Sequence, residues 1–255
     1  MRKDGDINLK EKPDFNNMDE RMKPFSVRVT AREVRRRNVL LKTFLIILLI
    51  VVLLLGVFYA LSLFVNRAGN FTVWIPDELA GVITLSDTPD FEVCSTVLEA
   101  DVIPSMDNIT KSWMPDNLDE VDGCHNGNNY IAYTFYLKNA GIDEIEYLSQ
   151  INIHAVTLES DHAVRVMVIK NGEETVYAKA QKGSNEPEPD TVPFLSKTKV
   201  LENTTDHFEP GEVDKYTVVI WLEGNDPECV DNIRGGVVKM SMNFQVLDSE
   251  NGDKK

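Results

Sequence analysis

The spacing of apolar and polar positions changes twice along the chain. Residues 1–20 are polar and mixed in charge, with no period, and 21–38 are basic. Thr43 to Val65 then runs without a single charged residue, through Phe44, Leu45, Ile46, Ile47, Leu48, Leu49, Ile50, Val51, Val52, Leu53, Leu54 and Leu55. From Phe71 onward, apolar positions recur every second residue, the repeat of a strand with one face buried. The pattern predicts one long helix followed by a run of strands.

The apolar run is 23 residues long, roughly 35 Å as a helix and enough to cross the hydrocarbon core of a bilayer with some tilt. A buried core helix would show a polar face, and this one shows none. A cleaved signal peptide is the other reading. Its apolar part is shorter, about 7–15 residues, and ends in small residues. Here the run starts only after about forty residues and leaves through Phe64, Val65, Asn66 and Arg67. An uncleaved transmembrane helix over residues 39–65 is expected, preceded by a tail at 1–38. Within that tail residues 1–20 are expected to be disordered, and 21–38 to extend the helix inward as a basic turn or two.

Beyond the helix the strand signals are local and repeated. Phe71–Ile75 and Gly81–Leu85 read as the first two strands. In Tyr130–Lys138, Ile131, Tyr133, Phe135 and Leu137 form one face, and Ala132, Thr134 and Tyr136 the other. Glu144–Leu158 holds one or two more. Val164, Val166 and Val168 alternate with Arg165, Met167 and Ile169, and the Asn171-Gly172 pair that follows favours a type I′ hairpin to 174–179. A short strand is expected over Lys197–Leu201. Pro210-Gly211 marks a turn before Lys215–Leu222. In Val238–Val246, Val238, Met240, Met242, Phe244 and Val246 face in, while Lys239, Ser241, Asn243 and Gln245 face out. Residues 101–129 and 180–196 read as loops. Eight to ten strands, with no further helix, predict a mainly β fold. The expectation is a single transmembrane helix followed by an antiparallel β-sandwich ectodomain, immunoglobulin-like or jelly-roll, over residues 66–255.

Charge sets the orientation. Residues 1–42 carry twelve Lys/Arg against seven Asp/Glu, and the rest of the chain 14 against 34. Basic flanks stay on the cytoplasmic side, so the tail is expected inside and the C-terminal domain outside a cell membrane that residues 43–65 engage directly. The Asn66–Asn70 linker would hold the domain near that bilayer. A net charge of −15 speaks against nucleic acid as a partner, since phosphate neutralisation needs a basic surface.

Candidate chemistry is sparse. Cys94, Cys124 and Cys229 all follow the helix, and an oxidising compartment allows one disulfide, expected between Cys124 and Cys229 in polar loops. The segment 223–232 gathers Glu223, Asn225, Asp226 and Asp231, oxygen ligands that suit a hard cation such as calcium; a solvated acidic loop is the commoner explanation, and the spacing is not that of an EF-hand. Asp116, Asp119, Glu120 and Asp122 form a second acidic loop. The sequence holds no HExxH, GxSxG or P-loop motif. His154 and His162 lie in or beside strands, where a structural histidine is the common outcome. Three glycosylation sequons, at Asn70, Asn108 and Asn203, matter only in a eukaryotic secretory pathway.

The segment Tyr130-Ile131-Ala132-Tyr133-Thr134-Phe135-Tyr136-Leu137-Lys138-Asn139-Ala140-Gly141 resembles a strand of bacterial surface sandwiches. So does Pro210-Gly211-Glu212 followed by Lys215-Tyr216-Thr217-Val218-Val219-Ile220-Trp221-Leu222. Residues 130–246 are similar to Gram-positive single-pass surface β-sandwich proteins and, more distantly, to the TasA/camelysin matrix proteins. That resemblance implies a jelly roll and a part in fibre formation. Those relatives have cleaved signal peptides, unlike the helix here. Camelysin is described as a metalloprotease, and no metal-ligand motif carries that activity over. The expected function is therefore a non-enzymatic, membrane-anchored surface protein that binds an envelope protein or polymer, or self-assembles. A receptor relaying a signal to a cytoplasmic partner is the alternative, and an extracellular hydrolase a third.

Overall fold

The computed structural model describes residues 31–67 and 71–247. The expected disorder of residues 1–20 and much of the Asn66–Asn70 linker lie outside the described residues. The chain divides into two compact units, Met1–Ser62 and Leu63–Lys255.

Helix α1 runs from Ala31 to Arg67, so the basic Arg32 and Arg35–Arg37 are already helical. Inside it, Val39–Tyr59 has a mean hydropathy of 3.0 and none of that stretch is buried against protein. A helix apolar on all sides and covered by nothing is long and apolar enough to cross a membrane. Thr43 donates its hydroxyl to the Val39 carbonyl at 2.9 Å, which satisfies the first polar side chain of the apolar run.

Among the described residues the second unit is built from twelve strands in two mixed sheets. The five-stranded sheet contains β1 (Phe71–Trp74), β3 (Val97–Glu99), β6 (Ile145–Val156), β10 (Lys199–Phe208) and β12 (Val238–Leu247), in the order β10-β6-β12-β1-β3. The seven-stranded sheet contains β2 (Ile83–Ser86), β4 (Gly123–Cys124), β5 (Tyr130–Asn139), β7 (Val164–Lys170), β8 (Glu173–Ala178), β9 (Val192–Pro193) and β11 (Val213–Leu222). Its order is β2-β5-β11-β7-β8-β9, with β4 also paired to β5.

Neither sheet is purely antiparallel, which corrects the expectation. The first strand lies parallel to the last, Phe71 opposite Met240, and β8 lies parallel to β9. Both pairings join segments that no hairpin connects, so local turn signals carry no trace of them. The β7–β8 hairpin is as expected: Asn171 and Gly172 have φ of 52° and 85°, and Lys170 faces Glu173. The strand expected at 197–201 continues to Phe208, and 144–158 holds one strand that bulges at His154.

One core draws on both sheets. Phe71, Val73, Tyr147, Ile151, Met240, Met242 and Phe244 meet Ile131, Phe135, Val166, Tyr216, Val218 and Ile220. Aromatic edges interlock there, with Phe244 edge-on to Phe135, Tyr147 and Tyr216 at centroid distances of 6.0, 5.9 and 5.4 Å.

A second core lies on the other face of the seven-stranded sheet. Ala132, Met167, Ile169, Val219 and Trp221 are covered by Ile109, Met114 and Leu118. These three come from the stretch 101–129 that reads as a loop. It docks through Ile109, whose N–H donates to the Leu222 carbonyl at 2.9 Å and whose carbonyl accepts from Gly224 at 2.8 Å.

Candidate functional site

Strand β7 carries a cation at each end, and the two are used differently. Lys170 lies 3.1 Å from Asp214 and donates to the Thr205 hydroxyl at 2.6 Å. Asp214, itself buried, also accepts from the Tyr147 hydroxyl and from Asn171 Nδ2 at 2.6 Å. The Tyr147 and Tyr216 hydroxyls are 2.7 Å apart, and burial pushes both phenols above their ordinary range. One carboxylate and one ammonium balance, and the network ties β6 and β10 of one sheet to β7 and β11 of the other.

At the other end Arg165 faces three carboxylates. Its Nη2 lies 2.6 Å from Asp226 Oδ2 and 3.5 Å from Glu188 Oε2, with all three side chains at most 6% exposed. Glu228 completes an acidic group with Asp226 and Glu188 whose ligand atoms lie within 4.8 Å of one another. Burial first, and then the Asp226 charge, push the Glu188 carboxyl above its ordinary value, while Arg165 opposes the shift. Asp226 is shaped for this place: its Oδ1 accepts the Glu228 N–H at 2.7 Å and its carbonyl the Cys229 N–H at 3.0 Å. The group opens on a cleft of about 1020 Å³ that Lys111, Glu174, Trp221 and Asn225 also line.

The four oxygen ligands expected from the sequence are not brought to one point. Asp226 is engaged by Arg165. Glu223 accepts the Trp221 indole N–H at 3.0 Å and the Asn225 N–H at 3.1 Å. Asn225 Nδ2 donates to Thr110 at 3.3 Å. Asp231 lies on an exposed 3₁₀ turn, 3.7 Å from Arg234. Glu188, in a proline-rich loop, and Arg165, at an alternating strand position, give no local signal, while Glu228 falls inside 223–232 but outside the four ligands expected there. Arg165 pairs with two of these three carboxylates, Asp226 and Glu188.

The expected Cys124–Cys229 bridge is not formed, and all three cysteines are free thiols. Cys124 sits on the β5 edge opposite Tyr133, where its sulfur accepts the Asp101 N–H at 3.3 Å. Cys229 lies in the loop after β11, held by Asp226, and β11 separates β5 from β7. Burial raises the Cys229 thiol pKa. His154 bonds Ser241 at 2.6 Å, while the buried Nε2 of His125 has no partner among the described residues.

The outer face of the five-stranded sheet is of another kind. Residues paired across its strands form two rows: Val97, Trp74, Asn243, Gln150, Glu202, and Glu99, Thr72, Ser241, Asn152, Lys199. Asn152 Nδ2 donates to Asn243 Oδ1 at 2.7 Å, Asn243 Nδ2 to Gln150 Oε1 at 3.5 Å, and Gln150 Nε2 to Glu202 Oε2 at 2.7 Å. Lys199 closes the chain on Glu202 and holds that carboxyl below its ordinary range. The relay thus runs from β6 to β12, back to β6 and on to β10, and its amides fix one another.

Neither a protein-family model nor a curated protein sequence matches the chain. Among solved structures it is similar to a β-glucosidase from Kluyveromyces marxianus in complex with glucose, at 12% identity over 66% of this chain and 16% of the enzyme, with a TM-score of 0.23. The selenomethionine form of that enzyme matches at 14% identity over 63% and 17%, with a TM-score of 0.24. The chain spans about a sixth of the length of that enzyme, and likeness at this level carries no argument about fold or activity.

Proposed function

We propose that the chain is a single-pass surface protein whose N-terminal tail is cytoplasmic and whose acidic β-sandwich, residues 66–255, is a non-enzymatic binding module outside the cell. The observation that carries this reading is the apolar helix Val39–Tyr59, unburied along its whole length, between a basic and an acidic stretch of chain. A helix of that kind is stable in lipid, and its basic flank stays inside. The outer module then meets its partner through the polar outer face of the five-stranded sheet. Its partner is an envelope protein or polymer.

The free cysteines give the test, because all three follow the helix and Cys94 and Cys124 are exposed. A membrane-impermeant maleimide should label the full chain on intact cells. A Ser26→Cys chain with its native cysteines changed to Ser should be labelled only after permeabilisation. The reverse pattern would overturn the orientation, and release of the label in a shortened chain would overturn the anchor.

A further inference from the structure

Strand pairing fixes which loops lie where the chain arrives from α1. Three residues separate Arg67, the last of α1, from Phe71, the first of β1, so four residue steps of chain reach at most about 14 Å from the helix end to Phe71. β1 runs parallel to β12, with Phe71 opposite Met240, and β6 runs against β12, with Val156 opposite Val238. The beginning of β1, the 230–237 segment before β12 and the 157–163 segment after β6 therefore share one end of the five-stranded sheet. The end of β3 joins them, since the Ala100 N–H donates to the Phe71 carbonyl at 3.1 Å. Aliphatic side chains stand out from these loops: Val102, Leu158, Val230 and Val237 are 47%, 55%, 51% and 42% exposed. The Thr157 N–H donates to the Val237 carbonyl at 3.0 Å and the Val237 N–H to the Thr157 hydroxyl at 2.8 Å, which ties two of the loops together. Leu158 and Glu159 both hold left-handed backbone, each at φ 54°. That conformation is costly for a leucine, and here it leaves the side chain at the surface.

We propose that this end of the sandwich is seated on the bilayer surface from which the chain emerges, with Val102, Leu158, Val230 and Val237 entering the headgroup region; the assignment rests on the reading of α1 as a membrane anchor. Exposure by itself does not select this end, because Ile142, at the opposite end between β5 and β6, is 90% exposed. Chain length selects it. The apolar run of the helix continues to Val65, so Arg67 lies at the lipid boundary and the start of β1 follows within four residues. A domain tethered that closely meets lipid at a high effective concentration, and a few aliphatic groups then suffice to hold it there. The charges beside the apolar tips are paired, Glu159 with Lys182 at 2.5 Å and Asp231 with Arg234 at 3.7 Å, which limits repulsion from anionic headgroups. Seated so, β1, β6 and β12 rise from the membrane, and the polar outer face of their sheet is left clear of the lipid.

The test uses the full chain in phosphatidylcholine nanodiscs, with its native cysteines changed to Ser and a single new cysteine carrying an environment-sensitive dye. Lipid spin-labelled near the headgroup should quench the dye at Leu158→Cys and at Val230→Cys several-fold more than at Ile142→Cys. A dye at Leu49→Cys, inside the apolar run, reports the anchor through lipid spin-labelled deeper in the chain. Leu158→Glu combined with Val230→Glu should weaken the seating roughly tenfold, the scale of one aliphatic side chain returned to water. It is read as lost quenching at Val237→Cys, with the melting temperature retained because both positions are exposed. Quenching at Leu49 beside no more quenching at 158 and 230 than at 142 would overturn the seating and leave the anchor in place. Quenching at Val237 that survives the double substitution would overturn it as well. An unquenched Leu49 would overturn the anchor and the seating together.

Discussion

The two sheets share one core and differ in what lies on their other sides. In the seven-stranded sheet the outward positions of β5, β7 and β11 are Ala132, Met167, Ile169, Val219 and Trp221, and residues 109–118 cover them. In the five-stranded sheet the equivalent positions of β6 and β12 are mostly polar, Gln150, Asn152, Ser241, Asn243 and Gln245 beside Leu148, with Glu146 and Lys239 toward the ends. A strand buried on both faces reads as a nearly continuous apolar run, and a strand buried on one face alternates. The difference teaches that one sheet face is spent on an apolar core, while the other is a hydrogen-bonded polar face, with Ser241 and Asn243 buried within it and Gln245 exposed.

The largest effects should fall on the covered side. Trp221, 1% exposed, anchors the second core, and Trp221→Ala should cost about 4 kcal/mol in urea unfolding through the cavity it leaves. A loss below about 1 kcal/mol would show that the covering segment is not packed there. Asp226→Ala should come next, at about 3 kcal/mol, because it leaves the Arg165 guanidinium buried without its nearest carboxylate. Loosening of the 223–233 loop would accompany it, read as faster amide exchange there than in β12.

A smaller effect separates the two ends of β7 by pH. The folded-state pKa of Glu188 lies above the ordinary 4.5, so between the two values the folded state holds more protons than the unfolded. Stability contributed at this position is therefore present at lower pH and lost as pH rises through the raised pKa. Glu188→Gln should flatten that part of the stability–pH profile. An unchanged slope would mean that Glu188 ionises normally and that Arg165 neutralises it fully.

Much of this contrast was legible in the sequence. Period-two alternation located β1, β5, β7, β11 and β12 and sorted the faces of the last four, and Asn171-Gly172 located the hairpin. The second core was not legible, since Ile109, Met114 and Leu118 are spaced through a polar stretch with no period that local rules can detect. Arg165 reads as a solvent-facing residue until Glu188 and Asp226 arrive from two separate loops. The parallel pairing of β1 with β12 joins positions about 170 residues apart, beyond any turn signal. For the candidate binding face, the outward polar positions of β12 were legible. Their alignment with Trp74 and Gln150 into rows was not, because rows depend on register between strands distant in sequence.

The most direct test of the account places the same charge on each outer face of the full chain: Val219→Lys on the covered sheet and Gln245→Lys on the open one, compared by urea unfolding. Val219 is fully buried and Gln245 exposed. The account predicts a loss of several kcal/mol for Val219→Lys, as for an unpaired buried charge, and a change within about 0.5 kcal/mol for Gln245→Lys. Comparable losses at the two positions would contradict it, for they would mean that the five-stranded sheet is also covered and has no free face to offer a partner.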